Sequence, residues 1–140
     1  MIRWLAILGA ALCVLTPGQP ARAQDTAEQA ARKSAAAWLA LVDQGKYVES
    51  WDAAAKLFQG GVSRQKWKEA LSGVRAPLGK LVARTPKSAQ SATSLPGAPD
   101  GKYVVIQFAT SFEKKQDATE TVTPMLEVDG SWKVSGYFIK

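Results

Sequence analysis

The residues able to do chemistry are few in kind. The chain has no histidine, and its one cysteine, Cys13, lies in an apolar leader. From Gln24 to Lys140, thiol catalysis, disulfides, imidazole acid–base chemistry and His/Cys zinc sites are therefore excluded, and neither a metal nor a cofactor is expected. The carboxylates Asp43, Glu49, Asp52 and Glu120 remain, with Arg64, Lys68 and Arg75 as cations. Glu120 shares strand parity with Val122 and Leu126, so it can point inward and serve as a general base. The plainer alternative is a strand-end carboxylate tilted to solvent. Asp43 falls at a helix end, and Asp52 has an ion-pair partner in Lys56 at i, i+4. No set of base, orienter and electrophilic group comes together, so no catalytic residue is assigned.

Binding chemistry has better candidates. Tyr47, Trp51 and Tyr103 can form an aromatic ligand wall, although aromatics at helical spacing ordinarily build a core. Arg64, Lys68 and Arg75 can attract an anion, or lay their stems on apolar surface with the charges in water. Arg75 stands out because Pro77 and Gly79 fix the chain beside it. It is expected to be at least half buried, as a clamp hydrogen-bonded to the protein. The ligand-binding candidates are thus Tyr47, Trp51, Arg75 and Tyr103.

These residues need elements to position them. Ala27, Ala31, Ala35, Trp38 and Val42 recur at helical spacing and predict a first helix over Thr26–Val42, with Asp25 as its N-cap and Gly45 ending it. A second helix is expected over Lys46–Phe58, broken by Gly60-Gly61. Ser63 should cap a third, Arg64–Arg75, with Trp67, Ala70, Leu71 and Val74 inward. From Lys80 the period becomes alternating. A first strand is expected over Lys80–Thr85, with no assignment for Ser88–Ser94. Tyr103–Phe112 is the clearest strand, with Val104, Ile106, Phe108 and Phe112 on one face. Ala118–Val128 follows, its Pro124 implying an edge or a bulge. Asp129-Gly130 signals a hairpin into Ser131–Ile139, with Trp132, Val134 and Phe138 on one face. The order predicts an α+β fold: three N-terminal helices on a curved four-stranded antiparallel sheet.

The start of the chain reads differently. Met1-Ile2-Arg3 is basic, Trp4–Leu15 is apolar, and Ala21-Arg22-Ala23 suits signal peptidase. The apolar run is shorter than the roughly 20 residues a spanning helix needs. Residues 1–23 are read as a signal peptide and 24–140 as one domain, with Gln24 the expected mature N-terminus, in the periplasm or outside the cell. Nucleic acid is not an expected partner, and neither is stable membrane insertion after signal removal. The net charge of +6 is scattered and implies no more than attraction to anionic ligands or surfaces.

Four motifs carry a family resemblance: Trp38-Leu-x-Leu-Val-Asp-x-Gly-x-Tyr47-x-x-Ser-Trp51, Arg75-x-Pro-Leu-Gly79, Leu95-Pro-Gly-x-Pro-Asp-Gly-x-Tyr103 and Trp132-x-Val-x-Gly-Tyr137. The chain resembles a family of small exported bacterial proteins classed as a domain of unknown function. By shape it is similar to the cystatin-like group, which includes the nuclear-transport-factor-like proteins. That resemblance implies helices wrapped on a curved sheet and a ligand pocket between them, and no catalytic residues. The expected function is non-catalytic binding of a partner protein or an apolar small molecule. A small enzyme with a carboxylate base and a structural envelope protein are the alternatives.

Overall fold

The computed structural model describes residues 20–140, with side chains from Thr26 onward. Most of the expected signal segment therefore lies outside the described residues. The element order is α1 (Pro20–Asp43), α2 (Tyr47–Asp52), α3 (Lys56–Gly61), α4 (Arg64–Arg75), a 3-10 turn (Ala76–Leu78), then β1 (Leu81–Ala92), β2 (Tyr103–Phe112), β3 (Lys115–Leu126) and β4 (Trp132–Ile139). The strands form one open antiparallel sheet in the order β1-β2-β3-β4. The fold is α+β with four helices, not the three expected. Among the described residues no helix is long and apolar enough to cross a membrane.

Helix α1 buries Ala31, Ala35, Trp38, Leu39 and Val42. Its alanines let the sheet approach closely, and it touches all four strands. Asp25, the expected cap, falls inside α1. The other end follows the glycine rule. Gly45 has φ +75°, its N–H donates to the Val42 carbonyl at 3.0 Å, and the Lys46 N–H donates to the Leu41 carbonyl at 2.9 Å. That is a Schellman closure, which needs a residue at ease with positive φ.

The expected second helix is two short ones. The Ala55 N–H leaves the helical ladder and donates to the Val134 carbonyl of β4 at 2.8 Å, with Ala54 and Ala55 buried. A tertiary backbone bond here overrides the helix propensity of three successive alanines. Only small side chains allow two backbones so close. Gly60 and Gly61 belong to α3 rather than breaking it, and the chain turns extended at Val62. Ser63 caps α4 as expected, its hydroxyl accepting from the Lys66 N–H at 3.2 Å. Trp67 and Leu71 face inward, whereas Ala70 and Val74 are exposed.

Strand β2 has the expected bounds and inner face: Val104, Ile106, Phe108, Thr110 and Phe112 are all buried. Strand β1 runs on through Ser88 to Ala92, paired to β2. Pro124 is not at an edge, because β3 is an inner strand; it sits at the bulge, the register passing from Thr123↔Gly136 to Pro124↔Val134. The extra residue is Ser135, whose hydroxyl donates to the Thr123 carbonyl at 2.7 Å. One inserted residue reverses the faces of everything beyond it. Tyr137 therefore packs into the core, its ring 5.1 Å from that of Trp38. Phe138, expected inward, is 51% exposed.

Tryptophans and one serine knit the helical layer. The Trp38 indole N–H donates to the Ser50 carbonyl at 2.8 Å, and that of Trp67 donates to the Ser50 hydroxyl at 3.0 Å. Ser50 is fully buried and its hydroxyl donates to the Tyr47 carbonyl at 2.6 Å. Ser50→Ala should leave the Trp67 N–H unmet and destabilise the chain by about 1–3 kcal/mol. A urea melt matching wild type would show that Trp67 finds another acceptor.

Candidate functional site

Five side chains from five elements meet between the helices and the sheet. Asp43 closes α1, Arg75 closes α4, and Arg84, Glu120 and Tyr137 come from β1, β3 and β4. Glu120 is fully buried. Its Oε1 accepts from Arg84 Nε at 2.6 Å and from the Thr110 hydroxyl at 2.6 Å. Its Oε2 accepts from Arg84 Nη2 at 3.2 Å and from the Tyr137 hydroxyl in a short hydrogen bond. Four donors fill the acceptor positions of one carboxylate. The expected inward direction of Glu120 is therefore present. A base needs a free lone pair within reach of substrate, and Glu120 offers neither the lone pair nor the access.

Arg84 forks twice. Its other edge grips Asp43, with Nη1 at 2.7 Å from Oδ2 and Nη2 at 3.0 Å from Oδ1. Arg75 Nη2 donates to the same Oδ1 at 2.9 Å. The Arg75 guanidinium lies 4.8 Å over the Phe112 ring, and the residue is 5% exposed. It is the clamp expected at the junction of helices and strands, with Asp43 as its partner. Burial pushes the Asp43 carboxyl upward, but hydrogen bonds and charge from Arg84 and then Arg75 outweigh this and hold it below its ordinary value. Burial works against the Arg84 charge, and the two carboxylates more than restore it, raising its pKa. Burial, then the charge and hydrogen bond of Glu120, push the Tyr137 phenol upward, so it serves as a donor at neutral pH.

Of the sequence candidates, the structure brings together Tyr47 and Arg75. They line one cleft of about 340 Å³ with Asp43, Gln44, Lys80 and Glu113. Trp51 stands apart: its indole donates to the Val62 carbonyl at 2.8 Å, and Arg64 lies 5.3 Å over its ring. Tyr103 is buried elsewhere, its hydroxyl donating to the Pro99 carbonyl at 2.6 Å, beside another cleft with Trp132 and Lys102. Tyr47, Trp51 and Tyr103 thus form no common wall. Asp52 pairs with Arg64, not Lys56, because α2 ends at Asp52 and the i, i+4 geometry is lost. Lys68 is exposed on α4. Among the described residues no His/Cys/Asp/Glu group could hold a metal.

Arg84 is not among the residues the sequence singles out, and Tyr137 closes a family motif there without being expected to face inward. Arg84 pairs with Thr110 across β1 and β2, so both lie on the inner face, but that register is interrupted on either side of it. Tyr137 was hidden by the bulge.

Residues 34–137 match the model of a family described as a protein of unknown function, DUF4019. The chain belongs to this family. The matched DUF4019 segment holds every member of the cluster, from Asp43 to Tyr137. No curated protein and no solved structure matches the chain.

Two outcomes follow for the cluster. Arg84→Met removes the cation shared by Asp43 and Glu120 and should cost about 3–5 kcal/mol, as for any broken buried ion pair; a denaturant melt within about 1 kcal/mol of wild type would contradict it. The lowered Asp43 pKa gives stability that is complete above the unfolded value of about 3.9 and lost as pH falls through the folded one. Asp43→Asn should therefore start less stable at neutral pH and fall less steeply on acidification. Parallel stability–pH curves would show that Asp43 does not contribute.

Proposed function

We propose that this is an exported, non-catalytic binding domain that meets its ligand or partner at its surface clefts. The carrying observation is the closed interior. The space between helices and sheet, where a cystatin-like arrangement would hold a ligand, is filled by Trp38, Ile106, Phe108, Val122 and the saturated Glu120. The cystatin-like arrangement belongs to this reading. It is supported by α1 crossing all four strands and by register shifts in every ladder, which bend a sheet.

An enzyme of this size would need an accessible titratable group in a sheltered pocket. The best-sheltered carboxylate is locked, and the clefts lie at the surface, lined mainly by small, apolar and aromatic side chains or, beside Arg75, by charged ones. Partners outside the cytoplasm, a protein or a small molecule, fit this picture.

Native mass spectrometry of the chain purified from envelope extract tests the proposal. A ligand adduct or a stoichiometric protein complex, displaced by no change at Glu120 that preserves folding, is the expected result. Turnover of a substrate that vanishes in a folded Glu120→Gln variant would overturn it. A bare chain bound to nothing would also count against it and favour a structural role.

A further inference from the structure

We propose that the cleft between the α1–α2 turn and the 3-10 turn after α4 binds a small oxyanion, a carboxylate or a phosphate, through Arg75, Lys80 and Tyr47. The proposal deepens the binding reading above and rests on it.

Arg75 carries the inference. Only its Nη2 has a protein acceptor, Asp43; the buried Nε and Nη1 have none among the described residues. An unmet buried donor is costly, and more so on a charged group. The Phe112 ring under the guanidinium stabilises the charge but supplies no in-plane acceptor. The protein thus holds a rigid, nearly buried cation at the wall of a cleft with part of its donor capacity unused.

The cleft supplies further donors. Lys80 is exposed at its rim, and the Lys80 ammonium and Tyr47 hydroxyl have no hydrogen bond or ion pair within the described protein. Two carboxylates also line it. Asp43 accepts three bonds from Arg75 and Arg84, and Glu113 Oε1 accepts the Lys80 backbone N–H at 2.7 Å. Within the cluster the charges balance: Arg75 and Arg84 against Asp43 and Glu120. Outside that cluster, Lys80 stands against Glu113 in the cleft lining. An unfilled guanidinium beside an unpaired ammonium and an unpaired hydroxyl suits a compact anion with several acceptor oxygens.

Backbone amide NMR of the folded chain tests this, titrating with sodium acetate and separately with sodium phosphate, against sodium chloride at matched ionic strength. Saturable shifts should centre on Gln44, Gly45, Gly79 and Lys80, with Kd about millimolar or tighter. Acetate alone saturating assigns a carboxylate ligand, and phosphate alone a phosphorylated one. Arg75→Lys disturbs the clamp as well, so Tyr47→Phe and Lys80→Ala carry the test, each weakening binding about tenfold or more, one charge-assisted hydrogen bond's worth. Saturation by neither anion, shifts scattered over surface lysines, or variants that bind like wild type would each overturn the site. A chain that binds neither anion yet keeps a ligand adduct or a partner loses the site but not the binding reading. A chain bound to nothing loses both.

Discussion

Glu120 is the constraint on which the rest depends. A carboxylate removed from water is tolerated only when its oxygens are matched, and the matching donors come from β1, β2 and β4. Arg84 in turn needs Asp43, which brings the end of α1 to the sheet, and Asp43 needs Arg75, which brings the end of α4. One buried charge thereby fixes the relation of both long helices to all four strands. The apolar contacts alone would tolerate sliding; hydrogen bonds with fork geometry would not. Such a cluster adds little net stability over an apolar core of equal volume. Its contribution is to make one arrangement the only satisfied one.

The helix ends show the same economy. Asp43 stands at the C-terminus of α1, where the helix dipole disfavours a negative charge. Two guanidiniums reverse that disadvantage and draw the carboxyl below its ordinary pKa. The Gly45 closure turns the chain directly after Asp43, so Tyr47 reaches the same cleft as Arg75. Local backbone chemistry and long-range electrostatics therefore converge on one corner of the molecule.

Much of this was legible in the sequence wherever a local rule acted alone. The glycine at the end of α1, the serine cap of α4, the alternating face of β2 and the succession of helices then strands needed only spacing and residue type. The junction role of Arg75 followed from Pro77 and Gly79. What could not be read came from contacts between distant segments. Ala55 leaves its helix because a carbonyl of β4 claims its N–H. Tyr137 and Phe138 exchange faces because β4 carries one residue more than β3 at Ser135. Arg84 sits in a strand interrupted by register shifts, and its partners lie 41 residues before it and 36 after it. An inward carboxylate at Glu120 could be foreseen from parity, but not that it would arrive already satisfied.

The bond from the Ser34 hydroxyl to the Trp132 carbonyl spans 98 residues, and it has a consequence for the order of assembly. α1 is made first, yet its inner face is completed only when β4 docks, and β4 also supplies Tyr137 to the cluster and the carbonyl that bends the chain at Ala55. Closing so long a loop loses entropy before any contact rewards it. The helices can form early, but the native packing of this chain waits for its last strand. Until then the alanine stripe and the tryptophans remain open to water, to a chaperone or to one another.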